Sequence, residues 1–101
     1  MKLLGIVQAP NSSPKKYIAR FNVDGKTISV GFGSRPYGDY IQYSRENPEL
    51  ATEKRKQYIA RHRVSEDWTD PMKPGTLSRF ILWEEPTLSQ AVKGYKRRFH
   101  L

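Results

Sequence analysis

Asp24-Gly25 stands between two runs of period-two alternation, with Tyr17, Ala19 and Phe21 before it and Ile28, Val30 and Phe32 after it. An Asp-Gly pair supplies the positive φ values that a tight reversal requires, so this stretch predicts an antiparallel β-hairpin. The apolar members of both strands then share one face. Leu3, Leu4, Ile6 and Val7 are also β-prone and are set off by the turn-rich segment 8–14, which makes them a candidate third strand. A small sheet with one apolar face needs a second layer to cover it, and the rest of the chain must provide that layer.

Beyond the turn Gly33-Ser34-Arg35-Pro36 the period changes. Asp39-Tyr40-Ile41-Gln42 carries a capping-box pattern and predicts a short helix over about 40–46. Asn47-Pro48 starts a second helix, with Asn as cap and Pro where its missing N–H costs nothing, running to about Arg63. Its inward stripe of Ala51, Arg55, Tyr58, Ile59 and His62 is thinly apolar, so much of this helix is expected to stay wet. Residues 65–75 are broken by Pro and Gly, with Trp68 expected to anchor them against the core. Thr76 to Glu84 gathers Leu77, Phe80, Ile81, Leu82 and Trp83 and reads as a central helix, apolar on most sides. Thr87-Leu88-Ser89-Gln90 opens the last helix, in which Leu88, Ala91, Val92, Tyr95 and Phe99 fall on one face.

These elements predict an α+β fold: an N-terminal antiparallel hairpin of two or three strands packed on about four α-helices. With 101 residues the chain is expected to form a single domain, with a β-rich part at 1–34 and a helical part at 39–99. Mean hydropathy is low at −0.76, yet twelve aromatic residues supply enough large side chains for a small core. The chain has no cysteine, which excludes a disulfide scaffold, a thiolate metal site and a cysteine nucleophile. No apolar run approaches the ~20 residues that span a bilayer. A soluble, non-secreted protein is expected.

The formal net charge is +8 and the pI about 9.9. The excess is polarised: residues 1–38 carry six basic residues to one acidic, 65–86 carry five acidic to two basic, and 87–101 carry four basic and no acidic. Two basic ends can form one positive face if the fold joins them, which points to a polyanionic partner. Lys93, Lys96, Arg97 and Arg98 lie opposite the apolar face of the last helix. Cations at a helix C-terminus gain ~0.3–1 kcal/mol each from the dipole, which explains part of that cluster but not its beginning at Lys93. Lys15, Lys16, Arg20 and Lys26 interleave with Tyr17 and Phe21 on the hairpin, a composition suited equally to phosphate contact and to guarding a strand edge. Arg61 and Arg63 flank His62 at the end of the long helix and suit an anion or the helix end itself.

Catalysis finds no motif. Gly31-Phe32-Gly33-Ser34-Arg35-Pro36 has two of the three glycines of a dinucleotide loop and a proline where the helix should continue. A P-loop and a serine-nucleophile motif are missing. His62 with Glu66, Asp67 and Asp70 offers metal-ligand types for nuclease chemistry, but only one of these carboxylates stands at helical spacing and no second histidine is near. No metal, no cofactor and no enzymatic activity are expected.

Several stretches occur in a distinctive order: Val30-Gly31-Phe32-Gly33, Asp39-Tyr40, Arg55-Lys56-Gln57-Tyr58-Ile59-Ala60-Arg61-His62, Trp68-Thr69-Asp70-Pro71, Gly75-Thr76-Leu77-Ser78-Arg79-Phe80-Ile81-Leu82-Trp83, Pro86-Thr87-Leu88 and Tyr95-Lys96-Arg97-Arg98-Phe99. With them the chain resembles, over about residues 16–99, a family of small basic proteins encoded by large double-stranded DNA viruses of algae and protists. One departure is Lys73-Pro74-Gly75, where the family has an Ala-Gly pair opening the apolar helix. The resemblance implies a viral setting, in the virion or in the host cytoplasm or nucleus, and no particular activity. The leading expectation is therefore a non-enzymatic protein that binds or packages nucleic acid, with double-stranded DNA the natural ligand, largely independent of base sequence. Its phosphate contacts would be Lys15, Lys16, Arg20, Arg61, Arg63, Lys93, Lys96, Arg97 and Arg98. The rival is a minor capsid or cement protein docking on acidic capsid surfaces, with Tyr37, Tyr40 and Tyr43 as exposed anchors.

Overall fold

The structure, a computed structural model, describes residues 1–101. Three strands, β1 (Lys2–Gln8), β2 (Lys15–Val23) and β3 (Lys26–Ser34), form one antiparallel sheet in the order β1-β2-β3. Asp24 and Gly25 make the two-residue reversal at φ 53° and 82°, and Asn22 Oδ1 accepts from the Gly25 N–H at 3.0 Å. The register sets Tyr17 opposite Phe32, Ala19 opposite Val30 and Phe21 opposite Ile28, so the alternating residues share a face as expected. A bulge between Leu3 and Gly5 keeps Leu3 and Ile6 on that face and leaves Leu4 exposed.

The helical layer follows the capping chemistry. Asp39 accepts the Gln42 N–H at 2.9 Å to open α1 (Tyr40–Glu46), Asn47 accepts the Leu50 N–H to open α2 (Pro48–His62), and Thr87 accepts the Gln90 N–H to open α4 (Leu88–Phe99). At the far end of α4, His100 takes a left-handed φ of 56°, and the His100 and Leu101 N–H groups both reach the Lys96 carbonyl in the last turn.

The central apolar helix departs from expectation. It begins two residues early, with Pro74 at its first position, as one α turn (α3, Pro74–Leu77). It then widens into a π-helical turn over Ser78–Leu82 and ends there, with Trp83 as its cap, rather than at Glu84. Its place in the core is as predicted: Thr76, Leu77, Ile81 and Leu82 are buried together with Trp83. The core is one cluster joining sheet and helices, from Leu3, Ala19, Phe21 and Phe32 to Ile41, Tyr58, Leu77, Ile81, Leu82, Trp83, Ala91 and Tyr95. Trp68 sits half-buried on the edge of Phe80, 6.2 Å between ring centres, and so ties the irregular segment down.

Candidate nucleic-acid interface

Strand alternation decides where the hairpin cations point. Ala19 and Phe21 are fully buried, so Arg20 between them projects from the opposite, uncovered face of the sheet. α4 buries Ala91 and Tyr95 in the cluster on the core face, leaving Lys93, Lys96, Arg97 and Arg98 exposed on its outer side. Arg20 and the α4 cations therefore lie on opposite sides of the sheet. The single positive face that would unite the two chain ends is not formed: Arg97 and Arg98 sit together beside Phe80 and Glu84, while Arg20 projects from the far face of the sheet.

Two of the nine candidate cations are neutralised within the fold. Lys16 Nζ meets Asp39 Oδ2 at 2.7 Å, and both side chains are nearly enclosed, at 14% and 8% exposed. The same carboxylate caps α1, so Lys16 pins the start of β2 to the start of that helix. Arg98 Nη2 lies 3.5 Å from Glu84 Oε2 and its guanidinium covers the Phe80 ring at 4.0 Å. Lys15, Arg20, Arg61, Arg63, Lys93, Lys96 and Arg97 are exposed and have no carboxylate within 4.0 Å.

Sequence reasoning missed the cations that hold the fold. Glu84 collects Arg55 Nη2 and Arg79 Nη1, each at 2.7 Å, besides Arg98. Burial pushes the Glu84 carboxyl up, and the hydrogen bonds from Arg79 and Arg55 outweigh that push and hold it below the ordinary glutamate value. Arg35 spends its guanidinium on backbone, donating to the carbonyls of Ser13, Pro10 and Lys15 at 2.9–3.0 Å. No residue-type pattern marks the Arg55 or Arg35 role, because their partners lie 20 or more positions away.

A cavity of about 460 Å³ opens between the end of the sheet, the loop before α1, and α2. Lys54, Gln57, Tyr58 and Arg61 stand three, four and seven positions apart on α2 and so present one face to it. Its floor is a stack of rings: His62 on Tyr58 at 4.1 Å and Tyr58 on Trp83 at 4.4 Å and 7°. Burial pushes the Tyr58 hydroxyl up to about 12, so it stays neutral. His62 Nδ1 donates to Glu66 Oε2 at 3.1 Å, and that oxygen also accepts the Trp68 indole N–H. Asp67 and Asp70 turn away, accepting the backbone N–H groups of Thr69 and Met72. No three His, Cys, Asp or Glu side chains gather with metal-site geometry.

The tyrosines expected as exposed anchors behave differently from one another. Tyr37 is 73% exposed. Tyr40 and Tyr43, three positions apart on one face of α1, pack on the core, Tyr40 beneath the Arg55 guanidinium and Tyr43 against Trp83. No helix is long and apolar enough to cross a membrane. No protein-family model, curated protein or solved structure matches the chain.

Proposed function

We propose that this protein binds nucleic acid without enzymatic action, through phosphate contacts that are largely independent of base sequence. The observation that carries the reading is the unpaired state of seven exposed candidate cations in a fold that places its carboxylates elsewhere. A positive charge left without an acid partner at the surface is free to replace a condensed counterion on a phosphate backbone, and release of those counterions drives association. Because Arg20 lies across the sheet from α4, the primary contact surface is the outer side of α4, with Lys93, Lys96 and Arg97. In the viral setting that the resemblance implies, packaged genome is the natural ligand.

The test is fluorescence anisotropy of a short labelled DNA duplex at about 50 mM and about 200 mM salt, a range over which binding through several phosphates weakens by orders of magnitude. Binding at the lower salt that collapses at the higher is the expected result. No binding at the lower salt overturns the proposal. A second reading, docking on an acidic protein surface, draws support from the uncovered sheet face, where Leu4 and Val7 remain exposed beside Arg20.

A further inference from the structure

The α2 cleft is set apart from the polyanion surface by its enclosure and by its charge. Lys16 and Asp39 cancel one another in its wall, whereas Lys54 and Arg61 face it with no carboxylate within 4.0 Å. Lys54 is moreover half-buried, and desolvating an ammonium without a partner is costly. Two unpartnered positive charges in a concave site match a dianion better than they match a backbone phosphodiester, which carries a single charge. Tyr37, 73% exposed, lies on the same cleft and is available as a stacking face. A volume of about 460 Å³ falls within the range of small-ligand sites.

We propose that this cleft binds a nucleoside phosphate monoester, with the phosphate on Lys54 and Arg61 and the base against Tyr37. The site goes beyond the polyanion reading and does not require it, since a single mononucleotide suffices as ligand. The same chemistry is offered by a free nucleotide and by the 5′-phosphorylated end of a strand, and the two sources are separable.

The experiment is a backbone amide NMR titration of the full chain with a nucleoside 5′-monophosphate, beside inorganic phosphate, a 5′-phosphorylated oligonucleotide and its 5′-hydroxyl counterpart. The expected result is saturable, one-to-one binding of the mononucleotide with shifts grouped at Tyr37, Lys54 and Arg61. It should be at least tenfold tighter than inorganic phosphate and weakened at least tenfold in the Lys54→Gln/Arg61→Gln variant. Neither side chain makes an ion pair within the fold, so that variant should keep its native spectrum elsewhere, and Tyr37→Ala gives an independent check by lowering affinity for the nucleotide but not for inorganic phosphate. A strand-end role adds a preference for the 5′-phosphorylated over the 5′-hydroxyl oligonucleotide, and equal affinity for these two assigns the cleft to free nucleotides. Absence of mononucleotide shifts at millimolar concentration, or shifts that survive in the double variant, overturns the proposal. Failure of the polyanion reading shows up separately, as loss of salt-dependent binding to the 5′-hydroxyl strand.

Discussion

Replacing Glu84 by Gln removes the charge on which three guanidinium groups converge, and the structure sets the size of the loss. Arg79 is the least exposed of the three, at 12%, and its Nε has no hydrogen-bond partner, so Glu84 and the Trp83 carbonyl are its polar anchors. A hydrogen bond to a charged group contributes about 1.5–3 kcal/mol, and the Arg79 bond belongs in that range. Arg55, 31% exposed, can be rehydrated and contributes as a surface pair, about 0.2–1 kcal/mol. Arg98, at 3.5 Å and 45% exposed, adds nothing measurable. Gln retains one accepting oxygen, so Glu84→Gln should lower stability by about 2 kcal/mol, which for a domain of this size lowers Tm by about 8–16 °C. Thermal unfolding followed by circular dichroism measures it, with Glu85→Gln, whose carboxylate has no ion-pair partner, as the control. The pH dependence gives a second reading of the same interaction. A carboxyl held below its unfolded value contributes stability that is present above about pH 4.5 and is lost as the pH falls through the folded value. The acid limb of the stability profile should therefore be flatter in Glu84→Gln than in the parent. A Glu84→Gln protein within about 0.5 kcal/mol of the parent, or matched by Glu85→Gln, would refute the reasoning.

Gly33→Ala should destabilise by about 1–3 kcal/mol, because Gly33 sits at φ 79° and an added Cβ would come 2.8 Å from Leu82 Cδ1; chemical denaturation measures it. Arg35→Lys keeps the charge but loses the planar fork, so amide hydrogen exchange at Ala9 and Ser13 should accelerate while α4 stays protected. Burial raises the pKa of Tyr58 to about 12 and that of Tyr95 further still. Stability should hold up to about pH 10, where unfolded tyrosines ionise, and fall above it. Urea denaturation at pH 9 and pH 11 should show that fall, smaller in Tyr58→Phe.

What the sequence disclosed and what it hid divide along the separation between interacting residues. The Asp24-Gly25 reversal and the Asp39, Asn47 and Thr87 caps are chemistry between residues at most three apart, and the reversal and the three side-chain caps form as expected. The return half of the two capping boxes does not form: Gln42 makes no bond to the Asp39 N–H, and Gln90 Oε1 accepts the Thr87 hydroxyl instead of its N–H. The amphipathic face of α4 is likewise carried by local spacing. The π-helical turn is not legible, because Leu77, Phe80, Ile81, Leu82 and Trp83 are apolar on so many sides that one extra residue per turn leaves the pattern unchanged. The Lys16–Asp39 pair spans 23 positions, and the Arg55–Glu84 bond spans 29. Nothing in either cation's neighbourhood in the chain distinguishes a structural charge from a free one, so composition alone credits Lys16 and Arg98 with a solvent-facing role. The α2 cleft stays hidden for a related reason: Lys54 and Arg61 look like ordinary helix charges along the chain, and the other walls come from distant segments, the end of the sheet, the loop before α1 and the π-helical turn with Trp83.

The claim that unpaired surface cations on α4 carry nucleic-acid binding is tested most directly by the salt dependence of duplex affinity in a charge-neutralised variant. Abolishing one phosphate interaction should reduce the slope of log K against log salt by about 0.9. Lys93→Gln/Lys96→Gln/Arg97→Gln should therefore bind more weakly at low salt, with a slope shallower by about 2.7. An unchanged slope in a folded triple variant would contradict the account.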